Sequence, residues 1–137
     1  MKLSPHLSFD GTCQEAFRFY ETALGGEIVT MLTYGESPMS TDVKPDWHEK
    51  IIHATLMLPD GVLSGADAPP GEYESPQGFQ LLYQPETTHE SMRVFNALAV
   101  AGKIVMPIQR TFWSPCYGAL VDKFKVPWEI SCESEGA

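Results

Sequence analysis

Few side chains in this 137-residue chain have the type and setting to do chemistry. Its three cysteines, Cys13, Cys116 and Cys132, are an odd number with no Cys-x-x-Cys pair, which argues against a disulfide framework or a cysteine-based zinc knuckle. Cys116 follows Pro115 in a loop-like stretch, and the neighbouring residues supply neither the base nor the positive field a catalytic thiol needs. His6 stands opposite Pro5, Leu7 and Phe9 in a short alternating segment, so its ring can turn away from an apolar side. His53 alternates in step with Thr55 and Met57, which suits a hydrogen bond inside a pocket or across a subunit contact. Tyr34 and Tyr117 can present hydroxyls to a ligand. No GxSxG elbow, GK[ST] phosphate loop, HExxH or GxGxxG is present. Gly61-Val62-Leu63-Ser64-Gly65 imitates a nucleophile motif but sits in a hairpin pattern without the strand-to-helix turn.

Eighteen acids against nine Lys and Arg give a formal charge of −9, a field that repels phosphate backbones. Nucleic acid and anionic membranes are therefore not expected partners. An apolar fraction of 43% with 20% charged residues is that of a folded globular chain. No apolar run approaches the roughly 18 residues of a membrane span. Met1-Lys2-Leu3-Ser4-Pro5 lacks the apolar stretch of a secretory signal, so the expected location is cytoplasmic.

The elements that must position these side chains are legible as a repeated order. Leu3 to Phe9 alternates as a half-buried strand, and Asp10-Gly11 turns the chain. Thr12 with Glu15 has the spacing of a capping box. Ala16, Phe17, Phe19, Tyr20, Ala23 and Leu24 then form one helical side, which Gly25-Gly26 ends. Glu27 to Gly35 predicts a strand, and residues 36 to 49 a long loop. Ile51 to Leu58 predicts another strand, with a hairpin through Pro59-Asp60-Gly61 into Val62 and Leu63. The Pro-rich stretch 67–77 is the natural internal boundary. Gly78 to Gln84 then predicts a strand, and Thr87 or Thr88 a cap for a helix with Met92, Phe95, Leu98 and Ala99 on its apolar side. Gly102 ends that helix, Lys103 to Ile108 is a strand, and Tyr117–Val121 with Val126–Ser131 forms a closing hairpin. The expected architecture is a single α+β domain over 1–137. Its halves, about 1–66 and 78–133, each order strand, helix and three strands, and one helix covers one side of each sheet to leave a common cup.

The segments Pro5-His6-Leu7-Ser8-Phe9-Asp10-Gly11, Ile52-His53-Ala54, Thr111-Phe112-Trp113 and Asp122-Lys123-Phe124-Lys125-Val126-Pro127-Trp128 carry a resemblance. Through them the chain resembles the PhnB-like branch of the vicinal oxygen chelate superfamily, the glyoxalase/bleomycin-resistance fold. That resemblance implies paired βαβββ modules, a homodimer and, in many relatives, one divalent ion such as zinc, nickel, manganese or iron held by inner-strand residues. It implies no particular activity for this branch.

Carried onto this sequence, the family's ligand positions fall on His6 in the first strand and Glu129 in the last. The other two fall near Ser64 and at Phe79 or Gln80, where Gln80 offers only a weak amide oxygen. That is short of the three or four protein donors a divalent ion ordinarily takes. The expected function is a cup binding a small molecule, with a divalent metal and glyoxalase-type lyase or isomerase chemistry as the enzymatic form. His6 and Glu129 would there serve as ligands or as an acid/base pair. Gln80 and Ser64 would assist them, and His53 would line the pocket in either form. The alternative is a non-catalytic binding or drug-sequestration protein, its pocket walls formed by aromatic residues such as Tyr34, Trp47, Trp113 and Tyr117.

Overall fold

The computed structural model describes residues 1–132, so the expected end of the second half at residue 133 lies just outside the described residues. The chain divides into two compact units, Met1–Glu74 and Ser75–Ala137. The first contains β1 (His6–Phe9), α1 (Cys13–Leu24), β2 (Glu27–Thr33), β3 (Ile51–Leu58) and β4 (Gly61–Asp67). The second contains β5 (Leu81–Tyr83), α2 (Thr88–Ala99), β6 (Lys103–Gln109), β7 (Tyr117–Val121) and β8 (Pro127–Ser131). Each unit is thus βαβββ, and the α+β class read from the sequence is the observed one. The sheet orders, β1-β4-β3-β2 and β5-β8-β7-β6, are equivalent. In both, the first strand runs parallel to the last and the other neighbours are antiparallel.

In the first unit the alternation of β1 buries Leu7 and Phe9 and leaves His6 and Ser8 exposed. Phe9, Phe17 and Tyr20 meet edge-on or tilted, with ring centroids 6.1–6.5 Å apart, and form the centre of the apolar layer under α1. Gly65 in β4 is required there, because a Cβ would lie 2.7 Å from the Phe17 ring. Gly25 ends α1 in the left-handed conformation, as its position predicts.

The capping box at Thr12 does not form: its side chain makes no cap hydrogen bond. Asp67, from the far end of β4, takes its place. Its Oδ1 accepts from Cys13 N at 2.9 Å and its Oδ2 from Ile51 N at 2.8 Å, so one buried carboxylate fastens the start of α1 to the start of β3. Burial pushes this carboxyl above its ordinary value, while the backbone donors and the charge of Lys50 pull it down. The expected loop 36–49 contains two short 3-10 turns, Pro38–Asp42 and Pro45–Trp47.

In the second unit Thr87 caps α2 as expected, its side chain accepting from Glu90 N at 3.1 Å. The buried side of α2 is Ser91, Val94, Phe95 and Leu98. Met92, expected on that side, is 49% exposed, because it lies one position, about 100°, round the helix from Ser91. Asp122 organises the last hairpin. It accepts from Phe124 N, Val126 N and the indole of Trp128 at 2.8–3.1 Å, with Lys125 at a φ of 72°. The Asp-Lys-Phe-Lys-Val-Pro-Trp stretch is therefore a turn held by one buried carboxylate. Among the described residues no helix is long and apolar enough to cross a membrane.

Candidate ligand-binding faces

The helix covers one face of each sheet, so chemistry is available on the other. In the first unit the register pairs His6 with Ser64, Ser64 with Thr55 and Thr55 with Thr30. Register partners project on the same side, so these residues form a polar row across all four strands. His53 adjoins the row, its Nε2 3.3 Å from Thr55 Oγ1. The structure therefore brings together His6, Ser64 and His53 on one sheet.

Tyr34 and Trp47 are occupied differently. Tyr34 is buried, and its hydroxyl donates to Asp67 O at 2.7 Å. Its phenol is held above the ordinary value, first by burial and then by the Asp67 charge. Trp47 has its Nε1 buried and its ring 5.9 Å from the Lys50 ammonium, which donates to Gly11 O at 3.0 Å. Both residues tie the 34–50 segment to the module.

In the second unit Gly118, Leu120, Trp128 and Ile130 are buried, and Tyr117, Ala119 and Glu129 alternate with them onto the other face. The Tyr117 hydroxyl donates to Glu129 Oε2. The two residues are diagonal neighbours, since Tyr117 pairs with Ser131 and Ala119 with Glu129. Trp113 stands edge-on to Tyr117 with centroids 5.2 Å apart, and Phe112 edge-on to Trp113 at 4.7 Å. Trp113 keeps 55% of its surface exposed, so its ring is available to a ligand. Gln80 is exposed just before β5, whose Leu82 pairs with Glu129.

The electrostatics of the pair set its chemistry. The hydrogen bond to Glu129, then burial, then the Glu129 charge push the Tyr117 phenol up to about 12. At neutral pH Tyr117 is a protonated donor and cannot act as a phenolate base. Tyr117 thus contacts both Glu129, through Oε2, and the exposed Trp113 ring. Sequence reasoning had singled out Tyr117, Glu129 and Trp113 separately and missed their association. The register of the closing hairpin was the signal that could have found it.

The family model of the Glyoxalase/Bleomycin resistance protein/Dioxygenase superfamily matches residues 3–130. The chain belongs to that superfamily. Within it, this PhnB-like vicinal oxygen chelate protein is 36% identical to Protein YjdN of Escherichia coli (strain K12), across 96% of this chain and 95% of that one. It is similar to the crystal structure of protein PA1353 from Pseudomonas aeruginosa, with a TM-score of 0.89 and 37% identity over 97% and 98% of the two chains. It is also similar to a PhnB protein of Bacillus cereus described as a putative 3-demethylubiquinone-9 3-methyltransferase, with a TM-score of 0.81 and 29% identity over 96% and 99%.

Members of this superfamily often use a divalent metal. Among the described residues no three His, Cys, Asp or Glu side chains converge as an ion would require. One Glu129 oxygen is already bound to Tyr117, and the neighbours of His6 across the sheet are hydroxyls. This donor set does not fit a tightly held divalent ion.

Proposed function

We propose that this PhnB-like protein binds a small molecule on the helix-free face of its second module, as a homodimer and without a tightly held metal. The observation that carries the reading is the Tyr117–Glu129 hydrogen bond beside the exposed Trp113 ring. A carboxylate acceptor, a phenol that keeps its proton and an aromatic platform together suit a planar ligand with a polar donor edge. The polar row of His6, Ser64, Thr55 and His53 gives the first module a second face of the same character. The enzymatic form, with zinc, nickel, manganese or iron on His6 and Glu129 and Gln80 assisting, has weaker support because the donor count is short.

The homodimer draws support from β6, an edge strand on which Ile104, Val105 and Met106 are 37–61% exposed. An apolar edge of this kind invites pairing unless it is covered.

Crystals of protein taken directly from cells, and crystals soaked with aromatic amides and phenols, test the reading. Density is expected against Trp113 within hydrogen-bond reach of Glu129. Ligand density confined to other surfaces would sink the proposal. Elemental analysis of the same preparation should find no stoichiometric divalent metal, and one metal per chain would restore the enzymatic form.

A further inference from the structure

Two of the three cysteines, which the proposed binding role does not use, stand at opposed positions of a strand pair. The β7–β8 register pairs Gly118 with Ile130 and Tyr117 with Ser131. One step further along the ladder, Cys116 stands opposite Cys132, and Cys132 N donates to Cys116 O at 2.8 Å. Alternation places both on the buried side with Gly118 and Ile130, and both are buried, at 5% and 3% exposure. Directly opposed residues of an antiparallel pair have Cα atoms about 4.5–5.5 Å apart. That lies inside the roughly 4.4–6.8 Å a disulfide spans.

Ser114 fixes the two strand ends. Its Oγ lies 3.1 Å from Cys116 O and 3.3 Å from Cys132 O, and it accepts from Cys116 N at 3.2 Å. The Cys116 thiol is pushed up by burial and, second, by the charge of Cys132. The Cys132 thiol donates to Glu86 O at 3.7 Å. All three cysteines are reduced thiols in the structure.

We propose that Cys116 and Cys132 are an oxidative modification site that closes to a disulfide when the protein meets a peroxide. One thiolate attacks a peroxide oxygen, breaking the O–O bond to give a sulfenic acid and one water or alcohol. The second thiolate attacks that sulfur, forming the S–S bond and releasing water. The two thiols lose two protons and two electrons in total, and the peroxide accepts both. The bond would clamp the hairpin directly beside Tyr117, and a dithiol would reverse it.

The test treats reduced, native full-length protein with hydrogen peroxide, then counts thiols after denaturation and maps the peptides. Titratable thiols should fall from three to one. One intrachain link between Cys116 and Cys132 should appear, and dithiothreitol should restore all three thiols. Cys13→Ser should leave the link intact and Cys132→Ser should abolish it. The wild-type map decides alone if Cys132→Ser does not fold. Three surviving thiols, thiols lost as sulfinic or sulfonic acid without a link, or a link through Cys13 or between chains would each overturn the proposal.

Discussion

Tyr117 and Glu129 define the chemistry of the second module at the level of single residues. Because the hydrogen bond to Glu129 is the first cause holding the phenol near 12, Glu129→Gln should bring Tyr117 back toward the ordinary 10. Spectrophotometric titration of the tyrosines reads this directly, and an unmoved last titration would show that the pair does not form in solution. Asp67 poses the corresponding question in the first module. Asp67→Asn gives one acceptor where two backbone donors converge, so the fold should lose about 1–3 kcal/mol. The sign of its pH dependence follows from its raised carboxyl. The unfolded chain ionises first, so the contribution is full below the ordinary value of 3.8 and declines as pH rises through the folded value. The wild type's advantage over Asn should therefore shrink across that interval and then level off. Urea unfolding of both proteins at a series of pH values measures it.

The two helices start in chemically different ways despite their equivalent places. Thr87 caps α2 with its own side chain, whereas α1 begins on a carboxylate 54 residues away in sequence. Thr87→Ala should cost about 1 kcal/mol, the ordinary value of such a cap. Thr12→Ala should stay within about 0.5 kcal/mol, as for a surface site without a special contact. Equal losses in the two variants, measured by urea unfolding, would contradict this assignment. The difference also marks how far the sequence could be read. Alternation in Leu7 and Phe9, the Gly25 stop and the Thr87 cap are local signals, so the elements and their order were legible. The Asp67 cap and the Tyr117–Glu129 bond are not local. Each depends on a strand register that periodicity does not specify to one residue.

The candidate residues were legible at the scale of the whole molecule, but their grouping was not. Residue types and family resemblance singled out His6, Glu129, Ser64 and Gln80 as ligand positions. The strand registers group His6 with hydroxyls and Glu129 with a phenol, which favours recognition over ion binding. Assembly is the second property at this scale. Val105→Lys places a charge on the exposed β6 edge of a chain already at −9 and should shift the proposed dimer to monomer. Sedimentation velocity decides it, and an unchanged dimer would move the interface elsewhere.

The most direct test of the central claim is a thermal-shift titration of wild type, Tyr117→Phe and Glu129→Ala with one panel of aromatic amides and phenols. Compounds that stabilise the wild type should bind Glu129→Ala about 10-fold or more weakly, since a hydrogen bond to a charged group is worth about 1.5–3 kcal/mol. Tyr117→Phe should show a smaller loss. Undiminished stabilisation of Glu129→Ala, or no stabilisation of the wild type by any member of the panel, would contradict the account.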